Sequence, residues 1–129
     1  MTVDSHNTVR VIDTGMHRAP LSIVQRGGAA HALLWPGNGA HYRSFNMVEL
    51  DPRGLTLDLC HGEECAWYIQ GGEGVVRDVA TDVAQPLSEG SMIHIAAGDR
   101  YRIEAGAAGL TAIGGTVPVE PAFYEEYLG

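Results

Sequence analysis

Apolar residues in this chain fall in short runs rich in Val, Ile, Leu and aromatics, separated by Gly, Pro, Asn and Asp. Runs of that length bounded by turn residues are the mark of β-strands. The pattern predicts strands at 9–12, 21–25, 31–35, 43–50, 55–60, 65–70, 74–78, 91–95, 100–105 and 110–114. No longer stretch keeps the 3.6-residue apolar period of an amphipathic helix. Turn chemistry stands at Pro36-Gly37-Asn38-Gly39, Asp51-Pro52-Arg53-Gly54, Gly71-Gly72-Glu73-Gly74, Ser88-Glu89-Gly90 and Ala97-Gly98-Asp99. Each of these is read as a chain reversal. The tail 118–129 sets Phe123, Tyr124 and Tyr127 among Glu residues, which predicts one helical turn that lays aromatics back over the sheet. The expectation is an all-β, antiparallel domain with a short C-terminal tail packed on it.

Strict alternation makes the run 55–60 two-faced. Leu55, Leu57 and Leu59 share one side, and Thr56, Asp58 and Cys60 share the other. After the turn at His61-Gly62-Glu63, the next strand places Glu64, Ala66, Tyr68 and Gln70 on one face and Cys65, Trp67 and Ile69 on the opposite one. Paired as a hairpin, the two strands bring Asp58, Cys60 and Glu64 together at one end of a shared pocket. The same alternation turns Cys65 away from Cys60, so no disulfide is expected between them.

Composition narrows the chemistry. At 129 residues, with 45% hydrophobic and 19% charged residues, the chain fits one folded domain, 1–129. Its net charge of -8 repels phosphate backbones and anionic lipid, so neither nucleic acid nor membrane is an expected partner. No apolar run approaches the roughly 18 to 20 residues that span a bilayer. The polar start Met1–His6 lacks the features of a signal peptide, and the expected location is cytoplasmic. All eight basic residues are Arg; the lack of Lys excludes Schiff-base and pyridoxal phosphate chemistry and a Lys-dependent phosphate loop.

Gly54, Glu64 and Gly71 stand in the frame G-x5-H-x-H-x3-E-x6-G, and Gly90, Ala96-Ala97-Gly98 and Tyr101 in the frame G-x5-P-x-G-x2-H. On these two motifs, 54–74 and 90–105, the chain resembles the cupin superfamily. The resemblance implies a single cupin barrel, the double-stranded β-helix or jelly roll. It also assigns Asp58, Cys60, Glu64 and Tyr101 to the four positions where cupins hold a divalent metal. Only the glutamate is retained. Carboxylate, thiolate and phenolate are compatible with zinc or iron, and a cupin that has lost its metal would carry the same substitutions. Residues 64–74, with Gly90-Ser91-Met92 and Asp99-Arg100, are similar to ectoine synthases, although Ile93 stands where those enzymes place a tyrosine ligand. The likeness implies small-molecule chemistry in a short barrel and leaves the substrate open.

Two functions follow as expectations. The first is a lyase, cyclase or isomerase acting on a polar metabolite; the second is a metal-free binding module or accessory subunit that binds a small ligand without catalysis. In the first, Glu64 is a metal ligand or general acid/base, Cys60 a ligand, nucleophile or simply a buried thiol, and Asp58 a ligand or a solvated carboxylate. Tyr101 and Tyr68 are candidate acids on the barrel wall. His61 is a reserve ligand or a surface histidine. Arg43 is placed to grip a substrate carboxylate, with Trp35 and His41 at the barrel mouth. Trp67 and Ile69, with Leu55, Leu57 and Leu59, are read as an apolar outer stripe that a homodimer would cover.

Overall fold

The computed structural model describes residues 9–128; the amino-terminal run read for targeting, and Gly129, lie outside them. The elements in order are β1 (Ala19–Leu21), β2 (Val24–Leu34), β3 (Phe45–Thr56), β4 (Leu59–Cys60), β5 (Cys65–Asp78), β6 (Val83–Ser88), β7 (Met92–Ile95), β8 (Arg100–Thr116) and a helix α1 (Pro121–Tyr127). All strand pairs are antiparallel, in the order β1-β2-β3-β8-β5-β6, with β4 joined to β8 and β7 joined to β5. The start of β5 pairs with β7 and with the end of β8. Its second half pairs with β6 and with the start of β8. Because β5 exchanges β7 for β6 and β8 exchanges β4 for β3 along their lengths, the sheet folds onto itself as an antiparallel jelly-roll barrel. Ile23, Val48, Ile69 and Ile103, all fully buried, fill it.

Two of the turn signals are corners inside strands rather than reversals. Gly71-Gly72 lies within β5, where bulges on either side let the strand pass from one half of the barrel to the other. Gly72 has φ 82°, and a Cβ there would sit 2.1 Å from the Gly109 carbonyl oxygen. Glycine alone permits that approach. Asp51–Gly54 plays the same part within β3. The signal at 88–90 is likewise a corner, carrying the chain from β6 to β7 in one direction along β5; 97–99 joins β7 to β8, and Pro36–Asn38 is a short 3-10 turn. Residues 9–12 form no strand, and 21–25 and 31–35 correspond largely to one continuous strand. Sequence reading passes over β6 because Pro86 interrupts it and only Leu87 is buried there.

The alternation through 55–60 is broken by one residue. Leu55 pairs with Glu104 but Leu59 pairs with Tyr101, so this side advances four residues while β8 advances three. An extra residue in a strand reverses which face every later side chain occupies. Thr56 is buried and accepts the N–H of Ile103, Leu59 also points inward, and Asp58 and Cys60 are exposed. In β5 the inward set is Cys65, Trp67 and Ile69, with Trp67 only 1% exposed, so the outer apolar stripe drawn through Trp67, Ile69 and Leu59 is corrected.

The predicted helical tail is present. Pro121 occupies the first turn of α1, where its missing N–H costs nothing, and Phe123 and Tyr124 are buried against the barrel. Tyr127 O accepts the N–H of Ser22, and Leu128 bridges to Leu21, so the tail closes one end of the barrel. Among the described residues no helix is long and apolar enough to cross a membrane.

Candidate functional site

Under α1 lies a chain of polar side chains from four parts of the sequence, buried except for the half-buried Glu120. Glu120, just before the helix, accepts the N–H of Gly62 through Oε2 and contacts Nδ1 of His61 through Oε1 at 3.0 Å. Nε2 of His61 lies 2.7 Å from the Tyr101 hydroxyl, and the indole N–H of Trp67 donates to that same oxygen at 2.9 Å. The proton positions follow from the partners. Burial holds His61 below its usual value, partly offset by Glu120, so the ring is neutral near pH 7. A carboxylate can only accept, so Nδ1 carries the proton and Nε2 accepts the Tyr101 O–H. Trp67 is donor-only and occupies a lone pair of the phenol oxygen. Every donor in the series Trp67, Tyr101, His61 thereby points toward Glu120.

The surroundings keep this chain dry. Phe123 tilts against His61 with ring centroids 5.4 Å apart, and Tyr124 meets Phe123 edge-on while donating its hydroxyl to Asn46 Oδ1 at 2.7 Å. Burial pushes the Tyr101 phenol well up, chiefly because its charged form would lie in a low-dielectric interior. The Cys65 thiol, 3.9 Å from the Tyr101 oxygen, is pushed up to about 12 by the same burial and stays protonated.

Tyr101 also lines a cavity of about 350 Å³ that opens between β6 and β7. These two strands follow one another along β5, one on each half of the barrel, and residues of both line the cavity. Val76, Leu87, Ile93 and Ile95 make its walls apolar. Asp78 pairs across from Tyr101, and Gln85 across from Val76, which places both polar residues on the inward face at the cavity.

The sequence-predicted site is not brought together. Of Asp58, Cys60, Glu64 and Tyr101, only Tyr101 faces inward. Asp58 is bound by Arg102 on the outer surface, and Cys60 is exposed with its thiol toward the Gly98 carbonyl. Glu64 is 70% exposed and pairs with His94, itself outward as the alternation predicts. Tyr68 is exposed on the outer face of β5. Arg43 lies over the Phe45 ring, Trp35 is half-buried beside the 3-10 turn, and His41 is exposed; none of these three lines the cavity. His61, held in reserve from the sequence, is buried at the centre of the polar chain. Trp67 was misplaced by the phase error, while Asp78, Gln85 and Glu120 carried no local signal.

The residues present do not fit a metal at this position. The inward side chains at or next to the four motif positions are Leu59, His61, Cys65 and Tyr101. Leucine has no donor, both His61 nitrogens are engaged, and the Tyr101 oxygen is already shared by His61 and the Trp67 N–H. Among the described residues, no group of three or more His, Cys, Asp or Glu side chains is arranged to hold an ion.

No family model and no curated protein matches the sequence. Solved structures do match. A predicted oxalate decarboxylase from Thermotoga maritima superposes with a TM-score of 0.67 at 24% identity, covering 85% of this chain and 100% of that one. An RmlC-like cupin from Shewanella frigidimarina NCIMB 400 gives 0.69 at 16% identity, covering 89% and 96%. The polyketide cyclase RemF from Streptomyces resistomycificus gives 0.64 at 18% identity, covering 93% and 81%. The fold they share with this chain is the antiparallel barrel described above, a double-stranded β-helix.

Proposed function

We propose that the cavity between β6 and β7 binds a small metabolite and that the Glu120–His61–Tyr101 chain moves a proton on it, in a lyase, cyclase or isomerase step carried by protein groups. The observation that supports this reading is the hydrogen-bonded chain itself, which ends on a tyrosine of the cavity wall. At rest, burial keeps His61 and Tyr101 neutral beside the Glu120 carboxylate, with the phenol pushed up and the imidazole pushed down. For turnover, His61 Nε2 takes the phenol proton and becomes an imidazolium beside the Glu120 carboxylate. The phenolate, held by the Trp67 N–H and the new His61 N–H, then takes a proton from the substrate. Reversal of the two transfers delivers a proton back to a different substrate atom and restores neutral His61 and Tyr101. RemF and the predicted oxalate decarboxylase lend the same barrel to small-molecule chemistry, which makes an enzyme of this kind a natural use of the fold.

A binding module is the second reading, and one observation favours it. The Tyr101 hydroxyl already donates to His61 and accepts from Trp67, so the chain also serves as core support. The test is proton exchange. Compounds from a metabolite panel that raise the thermal midpoint are incubated with protein in D2O, and C–H to C–D exchange is followed by NMR. The catalytic reading expects exchange with wild-type protein, loss of exchange with retained binding in Tyr101→Phe, and slowing in His61→Gln. Binding without exchange leaves the module. Stoichiometric zinc or iron in protein purified without chelator, lost in His61→Ala, would replace the metal-free step.

For the homodimer expected from the sequence we propose another surface. Met92 and Tyr68, cross-strand partners 64% and 42% exposed on the outer face of β7 and β5, offer the apolar contact that Trp67 and Ile69 do not.

A further inference from the structure

We propose that the molecule held in the cavity is an apolar amine, a small hydrocarbon or aromatic body carrying one ammonium group that Asp78 receives. The inference rests on the cavity being the binding site, and it starts from register. Four residues of the cavity lining carry or can carry charge: Asp78, His94 and Arg100 on strands, and Asp99 in the turn before β8. Asp78 lies across from inward-facing Tyr101. Arg100 pairs with exposed Cys60, and His94 pairs with Ala66 and is held outside by Glu64. The charged side chain that β5, β7 and β8 direct inward at this cavity is therefore a carboxylate.

The carboxylate, on an exposed residue at the edge of the cavity, is also held in one orientation. Asp78 Oδ1 accepts the N–H groups of Ala80 at 3.0 Å and Thr81 at 3.3 Å, which fixes the group's orientation and leaves Oδ2 as the acceptor for a ligand. The Gln85 amide oxygen, on the neighbouring strand, is a second acceptor. Asp99 adds negative charge at the rim, and the chain's net charge of -8 draws cations and repels anions at longer range. The Val76, Leu87, Ile93 and Ile95 walls supply the apolar complement, and about 350 Å³ accommodates a phenyl-sized body.

The experiment titrates the full chain with three probes of similar shape at low salt: 2-phenylethylamine, 2-phenylethanol and 3-phenylpropionate. The amine is expected to bind about tenfold or more tightly than the acid, and added salt to narrow the gap. Asp78→Asn is expected to weaken amine binding about tenfold while leaving the alcohol unchanged, since asparagine Oδ1 can still accept from the turn. Arg100→Gln, the control should Asp78→Asn fail to fold, is expected not to weaken amine binding. Acid binding as tight as the amine's, amine affinity untouched by Asp78→Asn, or acid binding that depends on Arg100 each overturns the inference and leaves the cavity reading standing. If none of the three probes binds, both fall together.

Discussion

Under α1 the polar side chains of the barrel are paired and dry; between β6 and β7 they stand open to ligand and water. At the first end, Glu120, His61, Tyr101 and Trp67 satisfy one another, and Phe123 covers them. At the second, Asp78 and Gln85 sit among the apolar walls of the open cavity. The difference follows from the cost of burying polar groups. A dry donor or acceptor without a partner is expensive, so the closed end recruits partners from distant parts of the chain until each is matched. Water spares the open end that requirement, and acceptors there remain available to a ligand. One end is thus built for stability and for holding protons in place, the other for exchange of molecules.

The largest effect that separates the two ends is stability. Phe123 is buried against His61, Tyr124 and Tyr127, and Phe123→Ala should cost about 3 kcal/mol or more, the usual range for emptying an aromatic site. Val83, 56% exposed on β6, should lose no more than about 0.5 kcal/mol on truncation to Ala. Urea denaturation of both variants measures the contrast. Equal losses would mean that α1 is a loose appendage and that the polar chain beneath it is not sealed.

That contrast also marks how far the amino-acid sequence could be read. The all-β barrel and the aromatic tail were legible because short apolar runs, turn residues and a Phe-Tyr cluster are local signals. The site was not, because its geometry depends on one bulged residue between Leu55 and Leu59 that no local pattern announces. Carrying alternation through it turned Asp58 and Cys60 inward and left His61 at the surface, the reverse of their positions. In β5 the phase error exchanged Glu64 and Tyr68 for Cys65 and Trp67. The apolar weight of Cys65, Trp67 and Ile69 was itself a signal for the inward face, since Cys and Ile are among the most buried residue types. Glu120 was beyond reach, 58 residues from Gly62 and brought there only when the helix docks.

A second, smaller effect sharpens the closed end. His61 is held below its usual pKa of 6.5 by burial, so the unfolded chain binds its proton more readily than the folded one. The stability this neutral imidazole contributes is complete above about pH 6.5 and declines as pH falls from there toward the folded value. Denaturation midpoints between pH 8 and 6 should drop for the wild type and drop less for His61→Gln. His31, on the outer side of the sheet, is lowered in the same direction by burial and by Arg18, so His31→Gln is the comparison variant. A slope carried wholly by His31 would place the titrating group outside the barrel and break the account of a dry His61.

The smallest effect lies on the outer surface, where the sequence had placed a ligand. Asp58 accepts from Arg102 at 2.7 Å, Arg102 also donates to Glu104 at 2.9 Å, and Arg77 joins the same carboxylate at 2.8 Å. The Asp58 side chain is 40% exposed, so solvent screens its ion pair, and Glu104 keeps Arg102 paired when the Asp58 charge is removed. Asp58→Asn should therefore change unfolding free energy by no more than about 0.5 kcal/mol, and the change should shrink with added salt. The same variant should leave ligand binding in the cavity untouched, because a charge on the outer face reaches a ligand inside the barrel only through screened space. A large loss of stability would show that the ion network, rather than the aromatic seal, holds this half of the barrel closed. A loss of binding would return Asp58 to the site and reverse the contrast between the dry end and the open one.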